Sequence, residues 1–246
     1  MADQNKGMSD LWRRLRFVFM AIVVYRMGTH IPIPGIDPTR LAALFDQNQG
    51  TILEMFNLFS GGALERMSIF ALNVVPYISS AIIMQLFSNS IPYLQELKKD
   101  GQAGRNQITQ YTRYGTVILA FIQASALAVT LGASGLAYEP GTSFFISAVF
   151  SVVAGTIFLM WLGELISERG IGNGISIIIA TSILTGIPGA IGQALEQARQ
   201  GDLNILLLLG IGVLAMLVIA VVVFIERGQR RITVNYAQRQ QGRKLM

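Results

Sequence analysis

The sequence predicts an all-α protein, a polytopic membrane helix bundle, and three observations carry that expectation. Only 13% of the 246 residues are charged while 52% are hydrophobic, whereas soluble domains carry about 25% charged residues. Apolar runs recur at 17–33, 69–87, 115–132, 144–163, 175–191 and 203–225, each close to the ~20 residues a spanning helix needs. Helix is the assignment for each, because backbone groups in lipid have to be paired within the segment. The third observation is the placement of the 19 Lys and Arg residues. Lys6, Arg13, Arg14 and Arg16, then Lys98, Lys99, Arg105 and Arg113, then Arg169, then Arg227 and all later ones share one set of flanks. The opposite flanks hold Arg40, Arg66 and Arg199 alone, and Arg26 falls inside a span. Acidic residues divide evenly between the flanks, so the bias is one of Lys and Arg, as the positive-inside rule requires. Both ends are therefore expected in the cytoplasm.

Composition also excludes functions. Without Cys there is no disulfide framework, thiolate chemistry or Cys-built zinc site, and a single His rules out multi-His metal sites. No cofactor is expected. The opening MADQNKGMSD lacks the basic, apolar, small-residue pattern of a cleaved signal peptide, so the first span is expected to remain. An isoelectric point near 9.7 is compatible with nucleic-acid binding, but the basic residues follow membrane topology instead.

In the first span, Arg26 lies about 14 Å along the helix from Phe17, a depth at which a guanidinium costs about 2.5–3.5 kcal/mol on insertion scales. A buried structural ion pair is the favoured account, and a pore-lining charge is the other. The span is expected to end at IPIPGID, where Pro32, Pro34 and Gly35 stop a helix. His30, beside that exit, reads as a packing or interface residue rather than a ligand.

The stretch 52–85, ILEMFNLFSGGALERMSIFALNVVPYISSAIIMQ, is the one around which the chain is organised. Ile52, Met55, Phe56 and Phe59 share one helical face, Gly61-Gly62 break it, and Glu54, Glu65 and Arg66 are charged. From Ile69 the run is apolar yet holds Asn73, Pro76, Tyr77, Ser79, Ser80 and Gln85. Interrupted, polar-studded backbone is tolerated at membrane depth where it is buried in protein or lines a watery cavity. Two readings fit equally: a re-entrant half-helix feeding a spanning helix at the centre of a pore, or an outer loop helix followed by an ordinary span.

Residues 88–112 read as a cytoplasmic loop, Pro92 ending the helix and KKDGQAGRNQ forming a polar hairpin. Gln123 and Ser125 of the third span are placed to pair with polar groups of the second. The ERGIGNGISIII run resembles a nucleotide-binding turn in its spacing of Gly170, Gly172 and Gly174. It lacks both a preceding strand and a Lys-Ser/Thr pair, so a tight turn with Asn173 or Ser176 capping the next helix is the better account. The sixth span is uninterrupted and expected to face lipid. The tail ERGQRRITVNYAQRQQGRKLM is basic, suited to anionic lipid at about 1 kcal/mol per charge or to RNA or an acidic partner. Within it Ile232, Val234 and Tyr236 alternate as in a short strand.

IPIPGID, MFNLFSGGALERMSIFALNVVPYISSAIIMQL, QYTRYGT, FLMWLGELISERGIGNGISIII and FIERGQRRITVNYAQRQQGRK together resemble the bacterial SecY family, central subunits of protein-conducting channels. That family has ten spans in two inverted halves, and this chain ends after the sixth. The resemblance implies an N-terminal segment at 1–16, a first five-helix half at 17–193, an outer loop and sixth helix at 194–225, and the start of a basic loop at 226–246. It implies a plug at 55–68, comprising Met55, Phe56, Asn57, Leu58, Phe59, Ser60, Gly61, Gly62, Ala63, Leu64, Glu65, Arg66, Met67 and Ser68. Val74 and Ile78, with Ile179, would match pore-ring positions, Val74 replacing a commoner isoleucine. The second and third spans would form one side of a lateral gate, with Gln85 and Gln123 as polar contacts. Arg230, Arg231, Arg239, Arg243 and Lys244 would belong to a loop that docks the ribosome, through its RNA, or the motor ATPase SecA. Gln238 stands where a Lys is common. The implied partners are SecE, SecG, SecA, the ribosome, the nascent secretory or membrane protein, and anionic lipids. The implied place is the bacterial inner membrane, and the chain is not expected to be an enzyme.

Two other classes fit less well. A secondary transporter built from broken helices needs intramembrane acids for ion coupling, and the predicted spans hold none. An intramembrane serine protease needs a Ser–His pair, whereas the lone His30 sits at a span end without a Gly-x-Ser-x-Gly context.

Overall fold

The computed structural model describes residues 2–47, 57, 60–200, 205–228, 240–241 and 244–245. Its helices are α1 (Ala2–Gly28), α2 (Pro38–Gln47), α3 (Val75–Ser90), α4 (Pro92–Lys99), α5 (Gly101–Ala133), α6 (Thr142–Arg169), α7 (Gly174–Gln200) and α8 (Ile205–Glu226). The two-residue strands β1 (Gln240–Gln241) and β2 (Lys244–Leu245) pair antiparallel. The chain forms two compact units, Met1–Gly189 and Ala190–Met246. Among the described residues, four helical stretches suit a membrane by length and apolar content: 101–133 of α5, 142–169 of α6, 174–196 of α7 and 209–226 of α8, and the expected runs 17–33 and 69–87 are not among them. With these helices the chain is an all-α, multi-pass membrane protein.

The first unit is organised around α5 and α6. Thr112, Thr116, Ala120, Ala124 and Ala128 are all buried, and their spacing of four residues lays a row of small side chains along one face. Such rows let helix backbones approach closely where lipid supplies no hydrophobic drive. Ser80 of α3 enters that row, its Oγ donating to the Thr112 carbonyl at 2.8 Å. Nearer the other end, Ala124, Ala128 and Leu131 share a core with Ile33, Met67, Leu136, Phe144 and Val152. Tyr25, Phe70 and Phe158 stack at centroid spacings of 6.0 and 5.9 Å, joining α1 to α6.

Several expectations are corrected. α1 ends at Gly28, before the prolines, and residues 31–33 pair instead with 67–69: Ile33 N donates to Met67 O at 2.8 Å and Ile69 N to Ile31 O at 3.0 Å. The 35–37 stretch pairs in the same way with 136–138. Helix α3 starts at Val75 rather than Ile69, and its 16 residues reach only about 24 Å, short of a ~30 Å hydrocarbon core. Residues 61–74 are turns instead, interrupted by the bridge at Ser68, with Met67 and Asn73 at φ 41° and 51°. This left-handed backbone is costly for residues with a Cβ and persists where surroundings hold it. The 88–112 stretch is not a loop. It is α4 followed by the first three turns of α5, as its Gln, Glu, Lys, Arg and Ala favour. Ile232, Val234 and Tyr236 lie outside the described residues.

Candidate functional site

The chain from 61 to 74 is irregular and yet largely buried, as such backbone has to be at membrane depth. Ser60, Ala63, Met67, Ser68, Phe70, Ala71, Asn73 and Val74 are each no more than 6% exposed. Gly155 of α6 lies so close beneath it that a Cβ there would collide with the Ile69 carbonyl and reach the Phe70 ring. Gly61 and Gly62, at φ 65° and 79°, supply the left-handed turn that folds the segment back, a conformation glycine adopts without steric penalty. Asn57 closes the resulting loop: its Oδ1 accepts from Glu65 N and its Nδ2 donates to Glu65 Oε2, both at 3.0 Å. Ser60 Oγ donates to the Asn57 carbonyl at 2.9 Å and accepts from Leu64 N at 3.1 Å. Of the remaining expected plug residues, Leu64 packs against the core shared with Met67, Glu65 and Arg66 are exposed, and Met55, Phe56, Leu58 and Phe59 lie outside the described residues.

Val74, Ile78 and Ile179 come together. Val74 is 2% exposed at the start of α3, Ile78 follows one turn later, and Ile179 of α7 packs on the same apolar cluster with Tyr25, Phe70, Leu159 and Ile178. Beside Ile78 and Ile179 opens a cavity of about 540 Å³ lined by both polar and apolar residues. Ile78 and Ile179 line it alongside Tyr77, Asn106, Thr109, Arg113, Glu164 and Ser176. Arg113 Nε and Glu164 Oε1 pair across it at 2.8 Å. The cavity lining thus joins polar groups to branched apolar side chains that disfavour water.

Arg26 is not ion-paired with any carboxylate among the described residues, which corrects the favoured expectation. Its Nη1 donates to the Gly61 carbonyl at 3.2 Å and to Thr185 Oγ1 of α7 at 3.3 Å. Beside it, Tyr25 Oη donates to the Ser60 carbonyl at 3.3 Å and lies 2.5 Å from Ser182 Oγ. Ser182 Oγ also accepts from Asn73 Nδ2 at 3.3 Å. His30 is a bridging residue: with the proton on Nδ1, it donates to the Arg26 carbonyl at 2.8 Å and leaves Nε2 to accept from Arg66 Nη1 at 3.0 Å. Sequence reasoning missed Tyr25, Ser182 and Thr185. Their signal was present: Ile178, Ser182 and Thr185 share one face of a helix, and Tyr25-Arg26 is a polar pair within a span.

Other expected sites are less connected. Gln85 is exposed on α3 and Gln123 half-buried on α5. The Ser80–Thr112 bond fixes the level of these helices, so Gln85 stands about 7 Å to one side and Gln123 about 16 Å to the other. They do not meet. Ser125 Oγ is buried with no hydrogen-bond partner among the described residues, contrary to its expected pairing with the second span. Asn173 is the expected cap, its Oδ1 accepting from Ile175 N at 3.0 Å and Ser176 N at 3.3 Å. Arg230, Arg231, Arg239 and Arg243 lie outside the described residues, while Lys244 sits in β2 opposite Gln241.

Outside the membrane spans, Asp37 opens α2. Its Oδ1 accepts from Thr39 Oγ1 at 2.6 Å and Thr39 N at 2.9 Å. The Thr39 hydroxyl, with the adjoining backbone bonds and Arg40, holds its carboxyl below the ordinary value against partial desolvation.

Comparison with known proteins gives a consistent result. A family model described as SecY matches residues 68–246. The chain is 62% identical over 244 residues to protein translocase subunit SecY of Pseudomonas aeruginosa, covering 99% of this chain and 55% of that protein. It is 58% identical over 243 residues to the Escherichia coli subunit of the same name, covering 97% and 55%. A solved structure of Sec61 in the canine ribosome-channel complex from the endoplasmic reticulum superposes with a TM-score of 0.63 at 20% identity, over 91% of this chain and 50% of that one. That last likeness is one of fold. The chain spans about half the length of the curated relatives it matches, and nothing in the comparisons supports the secondary-transporter reading.

Proposed function

The chain belongs to the SecY family, and on that premise we propose that it forms the first half of a protein-conducting channel. Through the complete channel, unfolded secretory polypeptides cross the bacterial inner membrane and transmembrane segments pass into it. The observation that carries the proposal is a cavity whose lining joins polar residues to Ile78 and Ile179, which pack on the same apolar cluster as buried Val74. Branched apolar side chains block ions by disfavouring water and offer no specific hydrogen bonds, so chains of any sequence can slide past. The second half of the channel would complete the ring.

In this reading residues 55–68 are the plug. Their turn at Gly61-Gly62 and the bonds that Tyr25 and Arg26 of α1 donate to the Ser60 and Gly61 carbonyls hold it, Arg26 also bonding Thr185 of α7. α3 and α5 form one side of a lateral gate, with Gln85 and Gln123 at different heights of it. The Lys/Arg-rich flank, and with it the N-terminus, is cytoplasmic. There Arg230, Arg231, Arg239, Arg243 and Lys244 belong to the surface that docks the ribosome or SecA and attracts anionic lipid. SecE and SecG complete the assembly.

The test joins this sequence to the second half of the Pseudomonas aeruginosa subunit and deletes 55–68. Resting ion conductance rises while polypeptide translocation continues. An unchanged resting conductance would count against the plug.

A further inference from the structure

We propose that Tyr25 and Arg26 of α1, with Ser182 and Thr185 of α7, form a clasp that holds the plug by its backbone, making Arg26 the positioning residue for the closed state. The proposal rests on the reading of 55–68 as a plug and adds what keeps it seated.

Arg26 is the only Lys or Arg inside a predicted span, and a guanidinium at that depth has to use its donors on something. It uses Nη1 on a carbonyl of the plug and a hydroxyl of α7, at 3.2 and 3.3 Å. One residue earlier, Tyr25 is 1% exposed. Its hydroxyl makes the matching pair of contacts, to the Ser60 carbonyl and to Ser182 Oγ. Two successive plug carbonyls are thereby gripped by two successive α1 side chains, and each grip is shared with α7. Gly61 makes the approach possible: a Cβ there would lie 3.1 Å from Ser182 Cα and 3.2 Å from Thr185 Oγ1. Because the clasp binds backbone oxygen, it does not depend on plug side chains.

The chemistry also makes the clasp reversible. Arg26 has neutral partners, so departure of the plug leaves behind no buried carboxylate. The guanidinium then turns to water entering the opened lumen, which replaces the lost acceptors. Since each grip spans α1 and α7, a change in their spacing weakens both at once. Plug release is thereby tied to widening of this half of the channel, rather than to a sequence feature of the passing chain.

The test uses the same complete channel, reconstituted in vesicles. The sequence has no cysteine and Ala63 is 0% exposed, so Ala63→Cys reports plug seating through its rate of maleimide labelling. Arg26→Gln is expected to raise labelling and resting conductance about tenfold, the scale of one hydrogen bond to a charged group. Arg26→Lys keeps a donor for Gly61 and is expected to remain within about threefold of the parent. Thr185→Val is expected to fall between. Unchanged labelling in Arg26→Gln, when deletion of 55–68 does raise conductance, overturns the clasp and leaves the plug standing. Deletion without effect on conductance overturns the plug itself. If Arg26→Gln fails to assemble, Thr185→Val and Ser182→Ala decide: faster labelling supports the clasp, and parental labelling in both overturns it. Equal loss in Arg26→Lys and Arg26→Gln also overturns it, since a donor to Gly61 would then not matter.

Discussion

Residues 60–74 and helix α8 are both apolar stretches, and they treat polarity in opposite ways. In α8 no polar side chain interrupts the run from Ile205 to Ile225, and every side chain from Leu209 onward is exposed. Leu214 is 60% exposed. In 60–74 the uncharged polar side chains are hidden while the charged Glu65 and Arg66 are exposed: Ser60, Ser68 and Asn73 are at most 5% exposed, bonded to α1, α7 and the segment's own backbone. In water the expectation is the reverse. Where the solvent is hydrocarbon, apolar surface gains nothing by leaving it, and association comes from close packing and hydrogen bonds. Polar residues within spans therefore mark the interior, and uninterrupted leucine and valine mark the lipid face.

Substitutions sharpen that contrast. The largest effect is expected for Gly155→Leu, because the new side chain collides with the Ile69 carbonyl, a backbone atom that cannot step aside. A loss of about 3 kcal/mol or more is expected, seen as collapse of the detergent-stable folded yield. Ser182→Ala removes contacts to Tyr25 and Asn73 at once and is expected to cost about 1 kcal/mol, since such bonds in membranes average ~0.6 each. Thermal unfolding in detergent measures it. Leu214→Ala, on the exposed face of α8, is expected to change stability by less than about 0.5 kcal/mol. A Leu214→Ala loss matching that of Gly155→Leu would break the comparison.

The smallest effect is one of pH, and lies outside both regions. Asp37 has its carboxyl held low by Thr39 first, then by backbone bonds and Arg40. Its contribution is therefore present at neutral pH and is lost as pH falls through that lowered value. Hydrogen exchange at the start of α2 is expected to quicken only at strongly acid pH, and Asp37→Asn to abolish that acid dependence. Quickening near neutral pH would contradict the assignment.

The bundle was legible because two signals coincide. Four of the six apolar runs, at 115–132, 144–163, 175–191 and 203–225, coincide with helices long and apolar enough to span, and the Lys/Arg bias follows their alternation. The cap at Asn173 was legible because side chain and first turn are neighbours in sequence. The start of α3 was not: hydropathy reports depth and says little about backbone conformation, so 69–74 counted toward a span although the chain there is turned. The length of α5 was obscured because Gln, Arg and Lys between 98 and 107 are good helix formers and good loop residues alike. Arg26's partners were hidden for another reason. A search for opposite charge overlooks carbonyls, and which carbonyl lies within reach is decided by the tertiary fold. The pairing of 31–33 with 67–69 is likewise a long-range match between two stretches that carry no strand pattern of their own.

The central claim is that a passing polypeptide meets the Val74–Ile78–Ile179 surface. It is tested most directly by placing a photocrosslinker at Ile78, at Ile179 and, for contrast, at Leu214, in the complete channel holding a stalled secretory chain. The account predicts adducts from 78 and 179 and none from 214. Adducts from 214 with none from 78 or 179 would contradict it.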